Sequence, residues 1–395
     1  MAFLSQQVFA SRRAEMQRFM DKHRLDAVGF LTPDNVFYGT NFLPDVQPWE
    51  RPIAAIIPRD GAPFLILNEL STTHLAVARE RGTIWIDDVT IYSEHPRLRD
   101  RRWLISQWSN LLAERLDESG LRDARIGVDS ANGLLSRAAA QLGSLEIVPL
   151  EREMRELRWV KHPEELDLIR QAAALTDWGQ ERFRAELRPG RVVQELDFTM
   201  SAILADEAAR RFNGEHCEIR SFTLSGPDSA APHGCGAASG KRVEVGHGIV
   251  NVLIVRLNGL AVENERTWFC GNPTPEQVRA FEAASAAQTA AIAELRTGNA
   301  LCNVDTAALD TIERAGYGDR VLHRTGHGIG INNHEFPDDM AFNLRPLRSN
   351  EVYSAEPGIY IPGLGGFRHD DTVIVGDQPE VVTVAPKDLA SQTVS

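Results

Sequence analysis

The apolar positions at the start of the chain change period several times. Residues 7 to 24 carry them at helical spacing, which predicts an amphipathic helix. The run from Asp26 to Thr32 is short and apolar and reads as a strand, with Pro33-Asp34-Asn35 as the turn after it. Ile53 to Ile57 and Pro63 to Leu67 are two further apolar runs. Arg59-Asp60-Gly61 lies between them, a hairpin signal. Trp103 to Leu116 reads as a helix, and Ile126 to Asp129 and Ile147 to Pro149 as short strands. This alternation predicts an α/β domain over residues 1–155.

The pattern then shifts. Glu151 to Arg170 is dense in charge and predicts helix, with Pro163 near a helix start, and a second domain is expected over 156–395. Val193, Leu196, Met200, Ile203 and Leu204 share one face of an expected helix over 193–212. Thr274-Pro275-Glu276-Gln277 is a capping box with Pro at the first helical position, opening a helix that should run to Gly298. Residues 249–257 are a strong strand signal, Asn258-Gly259 a type I′ turn, and Leu260 to Phe269 the returning strand. Alternation puts Ala261, Glu263, Glu265 and Thr267 on one face. The turn sets Ile254 opposite Glu263 and Val252 opposite Glu265. Paired acids on a hairpin usually mark a solvated face. If buried, they require a cation, a proton or a hydrogen-bond partner.

Composition narrows the class. A chain of 395 residues is long for one core and suits two domains. With 43% apolar and 25% charged residues it reads as globular. A formal charge of −13 argues against a nucleic-acid binder but not against a small cationic substrate. Cys217, Cys235, Cys270 and Cys302 show no CxxC spacing and read as free thiols. The N-terminal stretch has no apolar signal core, and no run reaches the ~18 apolar residues of a membrane span, so a cytoplasmic protein without a membrane partner is expected.

The candidate chemistry lies mostly downstream. His323, His327 and His334 fall within twelve residues, two of them around Gly326-His327-Gly328-Ile-Gly330. A lone histidine is more often structural; a cluster in a glycine-rich frame points to a site. Ser354-Ala-Glu356-Pro-Gly358-Ile-Tyr360 and Gly365-Gly-Phe-Arg368-His369-Asp370-Asp371 follow, and His233 stands upstream in a loop.

These motifs, in this order and spacing, resemble the creatinase / Xaa-Pro dipeptidase / aminopeptidase P family over residues 155–385. Asp34-Asn-Val-Phe-Tyr-Gly-Thr-Asn-Phe42 extends the likeness into the first domain. The resemblance implies an α/β (α+β) chain: a creatinase-like α/β domain, then a pita-bread catalytic domain, assembled as a homodimer. In the metallopeptidase branch two metals are held by Asp, Asp, His, Glu and Glu. Here those positions fall on Val252, Glu263, His327, Glu356 and Asp370, so one ligand is lost and two are altered in length. The metal-free creatinase branch resembles the chain at His233, at Glu265 of Glu265-Arg266-Thr267, and at Glu356; ectoine hydrolase resembles it too.

The loss at Val252 and the Glu-Arg-Thr run set the leading expectation. It is a hydrolase without cofactor, cleaving a C–N bond of a small, cationic, polar substrate. His233 would be acid and base, with Glu265, Glu356, His327 and His334 as catalytic partners. Glu263, Arg368, Asp370, Tyr38 and Trp49 would contact substrate. Glu263, Glu265, Glu356, Asp370 and Asp371 would crowd the site, with Arg266 and Arg368 offsetting part of their charge. The alternative is a dipeptidase or aminopeptidase with one divalent metal (Mn, Fe, Co or Zn) held by Glu263, His327, Glu356 and Asp370. The third expectation is a binding module on a catalytically dead pita-bread fold.

Overall fold

The computed structural model describes residues 4–93, 104–234, 240–336 and 339–394, the side chains of 104 and 105 left aside. Trp103, where one helix was expected to begin, and Cys235 lie outside the described residues. The chain divides into two compact units between Arg158 and Trp159.

The first unit holds six strands: β1 (Ala27–Phe30), β2 (Ala54–Pro58), β3 (Phe64–Asn68), β4 (Asp88–Tyr92), β5 (Arg125–Val128) and β6 (Glu146–Pro149). Their order is β4-β3-β2-β1-β5-β6. Only β2 runs antiparallel to its neighbours, and the expected hairpin sets Ala54 against Ile66. Helices α1 (Gln6–His23), α2 (Pro33–Thr40), α3 (Thr72–Arg81), α4 (Leu104–Glu118) and α5 (Gly133–Leu142) complete it. Trp108, Leu112 and Leu116 of α4 pack with Leu135 and Ala138 of α5 on Ile56, Ile66 and Val128 of the sheet.

Pro33-Asp34-Asn35 is not a turn but the first turn of α2. Proline at the first helical position has its φ preset and gives up an N–H that would be unpaired anyway. Asn35 Nδ2 then donates to the buried Asp129 carboxylate, which also accepts from Leu31 N and Thr32 Oγ1 and ties α2 to the end of β5. The charged stretch 151–170 is likewise not one helix. It comprises α6 (Glu151–Met154), a 3-10 turn (Arg155–Arg158), an extended link and α7 (Pro163–Glu186). Pro163 excludes helical backbone at His162, which caps α7 instead: its Nδ1 accepts from Glu164 N, and Glu165 accepts from His162 N.

The second unit holds β7 (Cys217–Ser225), β8 (Gly248–Leu257), β9 (Leu260–Cys270), β10 (Val352–Ala355), β11 (Gly358–Ile361), β12 (Gly365–Arg368) and β13 (Asp370–Ile374), with α8 (Val193–Arg211), α9 (Pro275–Glu294) and α10 (Leu301–Arg314). The sheet order is β10-β13-β9-β8-β7, antiparallel along this path, with β11 and β12 as a separate hairpin. The β8–β9 turn has φ of 45° at Asn258 and 86° at Gly259, both positive as a type I′ turn demands. Ile254 faces Glu263 and Val252 faces Glu265, the register that alternation predicts. Ala280, Ala284 and Ala287 of α9 pack with Leu301 and Val304 of α10 on Phe269, Phe367 and Val373. Phe183 of α7 and Leu196 and Met200 of α8 cover Ile249 and Trp268. The capping box opens α9 as expected, but the helix stops at Glu294, short of Gly298.

Asp197 on α8 faces Thr223 of β7, and burial pushes its carboxyl up to about 7 despite the hydrogen bonds from Thr223. A folded-state pKa above the unfolded ~3.9 means that stability is lost as pH rises from about 4 through 7. Asp197→Asn removes that loss. Its melting temperature relative to the natural chain should therefore be higher at pH 8 than at pH 4.5. Equal differences at the two pH values would contradict this.

Candidate active site

Antiparallel pairing sets side chains in rows across one face of the second sheet. Phe222, Val252, Glu265 and Asp370 form one row; Arg220, Ile254 and Glu263 the next; Glu218, Arg256 and Ala261 a third. Glu356 follows β10, its N–H donating to Thr325 O. His327 is held beside β10 by Ser354, whose N–H donates to His327 O and whose Oγ accepts from His327 N. The glycines around it are sterically required: a Cβ at Gly326 would sit 2.1 Å from Ser354 O, and one at Gly328 2.7 Å from Phe336 O.

These elements bring six of the expected residues together, Glu263, Glu265, His327, His334, Glu356 and Asp370. His327 Nε2 lies 3.3 Å from Glu356 Oε1 and 3.5 Å from Glu263 Oε2. Donor atoms of Glu263, Glu265 and Asp370 lie within 4.8 Å of one another, as do those of Glu263, His327 and His334. His334 stacks on His327 with ring centroids 3.8 Å apart, and its outer side is exposed. Burial, then the neighbouring His327, lowers its pKa to about 4, so the ring is neutral at ordinary pH.

Arg368 is buried in the same site. It donates to Glu265 Oε1 at 2.9 Å, makes a second ion-pair contact through Nε, and lies 3.8 Å from Glu356 Oε2. Its Nη1 donates to Tyr360 Oη at 3.2 Å. Tyr360 Oη also meets His323 Nε2 at 2.6 Å, while His323 Nδ1 sits 2.7 Å from Arg324 O. A carbonyl can only accept, so His323 carries its proton on Nδ1 and accepts from the tyrosine hydroxyl. The expected list omits Tyr360 and His323. The signal for both was present in the Glu356-to-Tyr360 run and the histidine cluster, but which aromatic reaches which histidine depends on the β11–β12 hairpin.

Arg266 and Asp371 are not in the site: both point through the other face of the sheet. Arg266 donates to Asp371 Oδ1 at 2.8 Å and to Ala385 O, and Lys387 pairs with the other oxygen of Asp371. Residues one apart on a strand face opposite ways, so Glu265 and Asp370 inside force Arg266 and Asp371 outside. His233 is exposed in the loop after β7, without a hydrogen-bond partner among the described residues, though its charge reaches His323 and His334. Tyr38 is buried in the first unit, with Arg12 stacked 4.5 Å over its ring and Phe30 edge-on. Trp49 belongs to the same unit and is 79% exposed.

The buried donors have the chemistry of a cation site. His327 Nδ1 lies 3.0 Å from Gly328 O, so the proton is on Nδ1 and the Nε2 lone pair faces two carboxylates. His327 Nε2, Glu263 Oε2 and Asp370 Oδ2 are buried without a hydrogen-bond partner. Burial, with the charge of the neighbouring acids, pushes Glu263, Glu265 and Asp370 up, against the pull of His327 on Glu263 and of Arg368 on Glu265. One guanidinium cannot neutralise four buried acids. A divalent ion held by oxygen and imidazole donors satisfies the orphaned atoms and the charge together.

Comparisons with known proteins agree. The profile of metallopeptidase family M24 matches residues 167–377, and that of the creatinase/prolidase N-terminal domain matches 12–160. The "Putative dipeptidase YkvY" of Bacillus subtilis is 31% identical over 91% of this chain and 93% of its own. Among solved structures, dipeptidase PepE from Mycobacterium ulcerans has a TM-score of 0.80 at 28% identity, covering 99% of both chains. An Xaa-Pro dipeptidase from Bacillus anthracis has a TM-score of 0.79 at 23% identity, covering 96% of this chain and 99% of its own, and supports the fold. The expectation of a cofactor-free enzyme is therefore corrected. The family is one of metallopeptidases, and the site holds clustered, unpartnered metal donors. Val252 removes one donor position, but Glu263, His327, Glu356 and Asp370 keep metal-binding side chains at the other four, and Glu265 is engaged by Arg368. The α/β (α+β) chain, with its creatinase-like domain and pita-bread catalytic domain, belongs to metallopeptidase family M24.

Proposed function

We propose that this chain is a metal-dependent dipeptidase, Xaa-Pro dipeptides included, with one divalent ion held by Glu263, His327, Glu356 and Asp370. The carrying observation is that Glu263 joins two donor clusters, one with His327 and His334 and one with Glu265 and Asp370, in which His327 Nε2, Glu263 Oε2 and Asp370 Oδ2 are buried without a hydrogen-bond partner and Glu356 lies 3.3 Å from His327. Val252 stands in the row where a further ligand would lie, which favours one ion over two. A bound metal supplies an activated water and polarises the scissile carbonyl.

The remaining roles belong to the chain's own side chains. Glu263 and Glu356 can accept the proton of the attacking water, since both line the buried face beside His327. Neutral His334, stacked on His327 with its outer side exposed, can donate to a substrate carbonyl or carboxylate, a role also proposed for His233 in the exposed loop after β7. Arg368, fixed by Glu265 and Tyr360, lies 3.8 Å from Glu356 Oε2, and its charge favours the carboxylate form of that residue. The assembly this reading expects is a homodimer, which light scattering checks. Among the described residues no helix is long and apolar enough to cross a membrane.

The test is elemental analysis of protein purified without added metal, followed by assay of a dipeptide panel, Xaa-Pro included, with Mn, Co, Fe or Zn restored after chelation. About one ion per chain and metal-restored hydrolysis are expected. Full activity after exhaustive chelation, or no hydrolysis with any metal, would overturn the reading.

A further inference from the structure

An open pocket of about 300 Å³ adjoins the acidic row, lined by Glu218, Arg220, Ile254, Arg256, Ala261 and Asn333 among others. Its charge is opposite in kind to that of its neighbour. Arg220 is exposed and makes no hydrogen bond or ion pair among the described residues; its guanidinium lies 4.7 Å over the Phe222 ring. Across the pocket Arg256 donates to Glu218 Oε1 at 3.2 Å and to Gly259 O at 3.3 Å. Those bonds leave its Nη2 buried without a partner. Glu218 thus neutralises one of the two guanidiniums, and the pocket keeps a net positive charge in a chain of formal charge −13.

Its position is fixed by strand register. Arg220 sits in the row of Ile254 and Glu263, so the pocket begins where the candidate metal donors end. Arg220 is near enough for its charge to act on Glu263. An exposed arginine that makes no ion pair among the described residues, resting on an aromatic ring beside the row of Glu263, is arranged for an incoming anion. The flat guanidinium takes a carboxylate in two parallel hydrogen bonds.

We infer that the Arg220–Arg256 pocket is a substrate subsite for a carboxylate group. It selects dipeptides by the anion they place beside the scissile bond, either an acidic side chain or the free C-terminus. This rests on the dipeptidase reading and adds the substrate class to it. No bond changes at the subsite. Arg220 donates to the carboxylate, and Phe222 supports the guanidinium from below.

The experiment compares the natural chain, Arg220→Gln and Arg220→Lys with Mn²⁺ on two matched pairs. Glutamyl-proline against glutaminyl-proline reads the side-chain source. Alanyl-proline against alanyl-prolinamide reads the C-terminal source. A charge-assisted pair in a partly enclosed site should give the natural chain about a 10- to 100-fold kcat/KM preference for the anionic member of one pair. That ratio should fall to about one in Arg220→Gln and be partly kept in Arg220→Lys. A preference unchanged in Arg220→Gln, or none in the natural chain, overturns the inference. Binding of L-glutamate against L-glutamine by calorimetry, with and without Arg220→Gln, tests the subsite without turnover. If no dipeptide is hydrolysed but glutamate is preferred through Arg220, the subsite stands and the dipeptidase reading falls. If neither appears, both fall.

Discussion

His327→Ala should lose the bound metal and about 10³-fold or more in kcat/KM, with the fold retained. The ring is the only nitrogen donor in the proposed set and is held with its Nε2 lone pair between Glu356 and Glu263, 3.3 and 3.5 Å away. The ring is oriented by Nδ1 on Gly328 O, which an alanine loses, while the two Ser354 contacts are to the backbone of residue 327 and survive the substitution. Several kcal/mol of transition-state stabilisation come from a metal, and each ~1.4 kcal/mol is a factor of ten. Metal content and steady-state kinetics read the effect, and circular dichroism shows the fold. Retained stoichiometric metal and near-natural kcat/KM would remove His327 from the ligand set.

Much of this site was legible in the sequence because strand alternation is a strict rule. The pairs Ile254–Glu263 and Val252–Glu265 follow from one Asn-Gly turn, and the structure keeps them. The same rule, carried one residue further, turns Arg266 and Asp371 away from the acids. Glycine spacing around His327 was informative because backbone approach to Ser354 leaves no room for a Cβ. Five of the first unit's strands were readable as short apolar runs; β4, begun by an aspartate and mostly half-buried, was not, nor was α2, since a proline followed by Asp and Asn signals a turn as readily as a helix start.

What was not legible has a common cause. Strand β7 alternates Glu218, Arg220 and Phe222 with Ile219 and Ser221, and its charges hide the period. With β7 unread, its row partners and the pocket beside Glu263 could not be foreseen. Tyr360, His323 and Arg368 meet only through the β11–β12 hairpin, whose register brings Gly358 against Arg368. The distinction between a free and an engaged carboxylate is also tertiary. Glu265 looked like a catalytic acid in one dimension and proves to be one half of a buried ion pair.

That pair yields the second large effect. Arg368 is 3% exposed and Glu265 2%, and the guanidinium meets both carboxylate oxygens. Removing one partner of such a pair strands the other as an unpaired buried charge, which costs about 3–5 kcal/mol, while replacing both by apolar groups is often close to neutral. Arg368→Leu should therefore lower the urea-unfolding free energy of the metal-free protein by that amount, and Glu265→Leu/Arg368→Leu should recover most of it. The loss should also depend on pH. Burial already pushes the Glu265 carboxyl up, and losing Arg368 removes the attraction that opposes it. A folded-state pKa raised above the unfolded value gives stability that is present at low pH and lost as pH rises, so Arg368→Leu should be hurt more at pH 8 than at pH 5. A double variant no more stable than the single one would mean that Glu265 is not the group left stranded. If the cycle holds, Arg368 is a fixed internal cation in the row where Val252 supplies no ligand. The site would then balance its acids with one guanidinium and one metal, and the metal content of Arg368→Leu, measured beside its stability, shows whether a second ion can take the guanidinium's place.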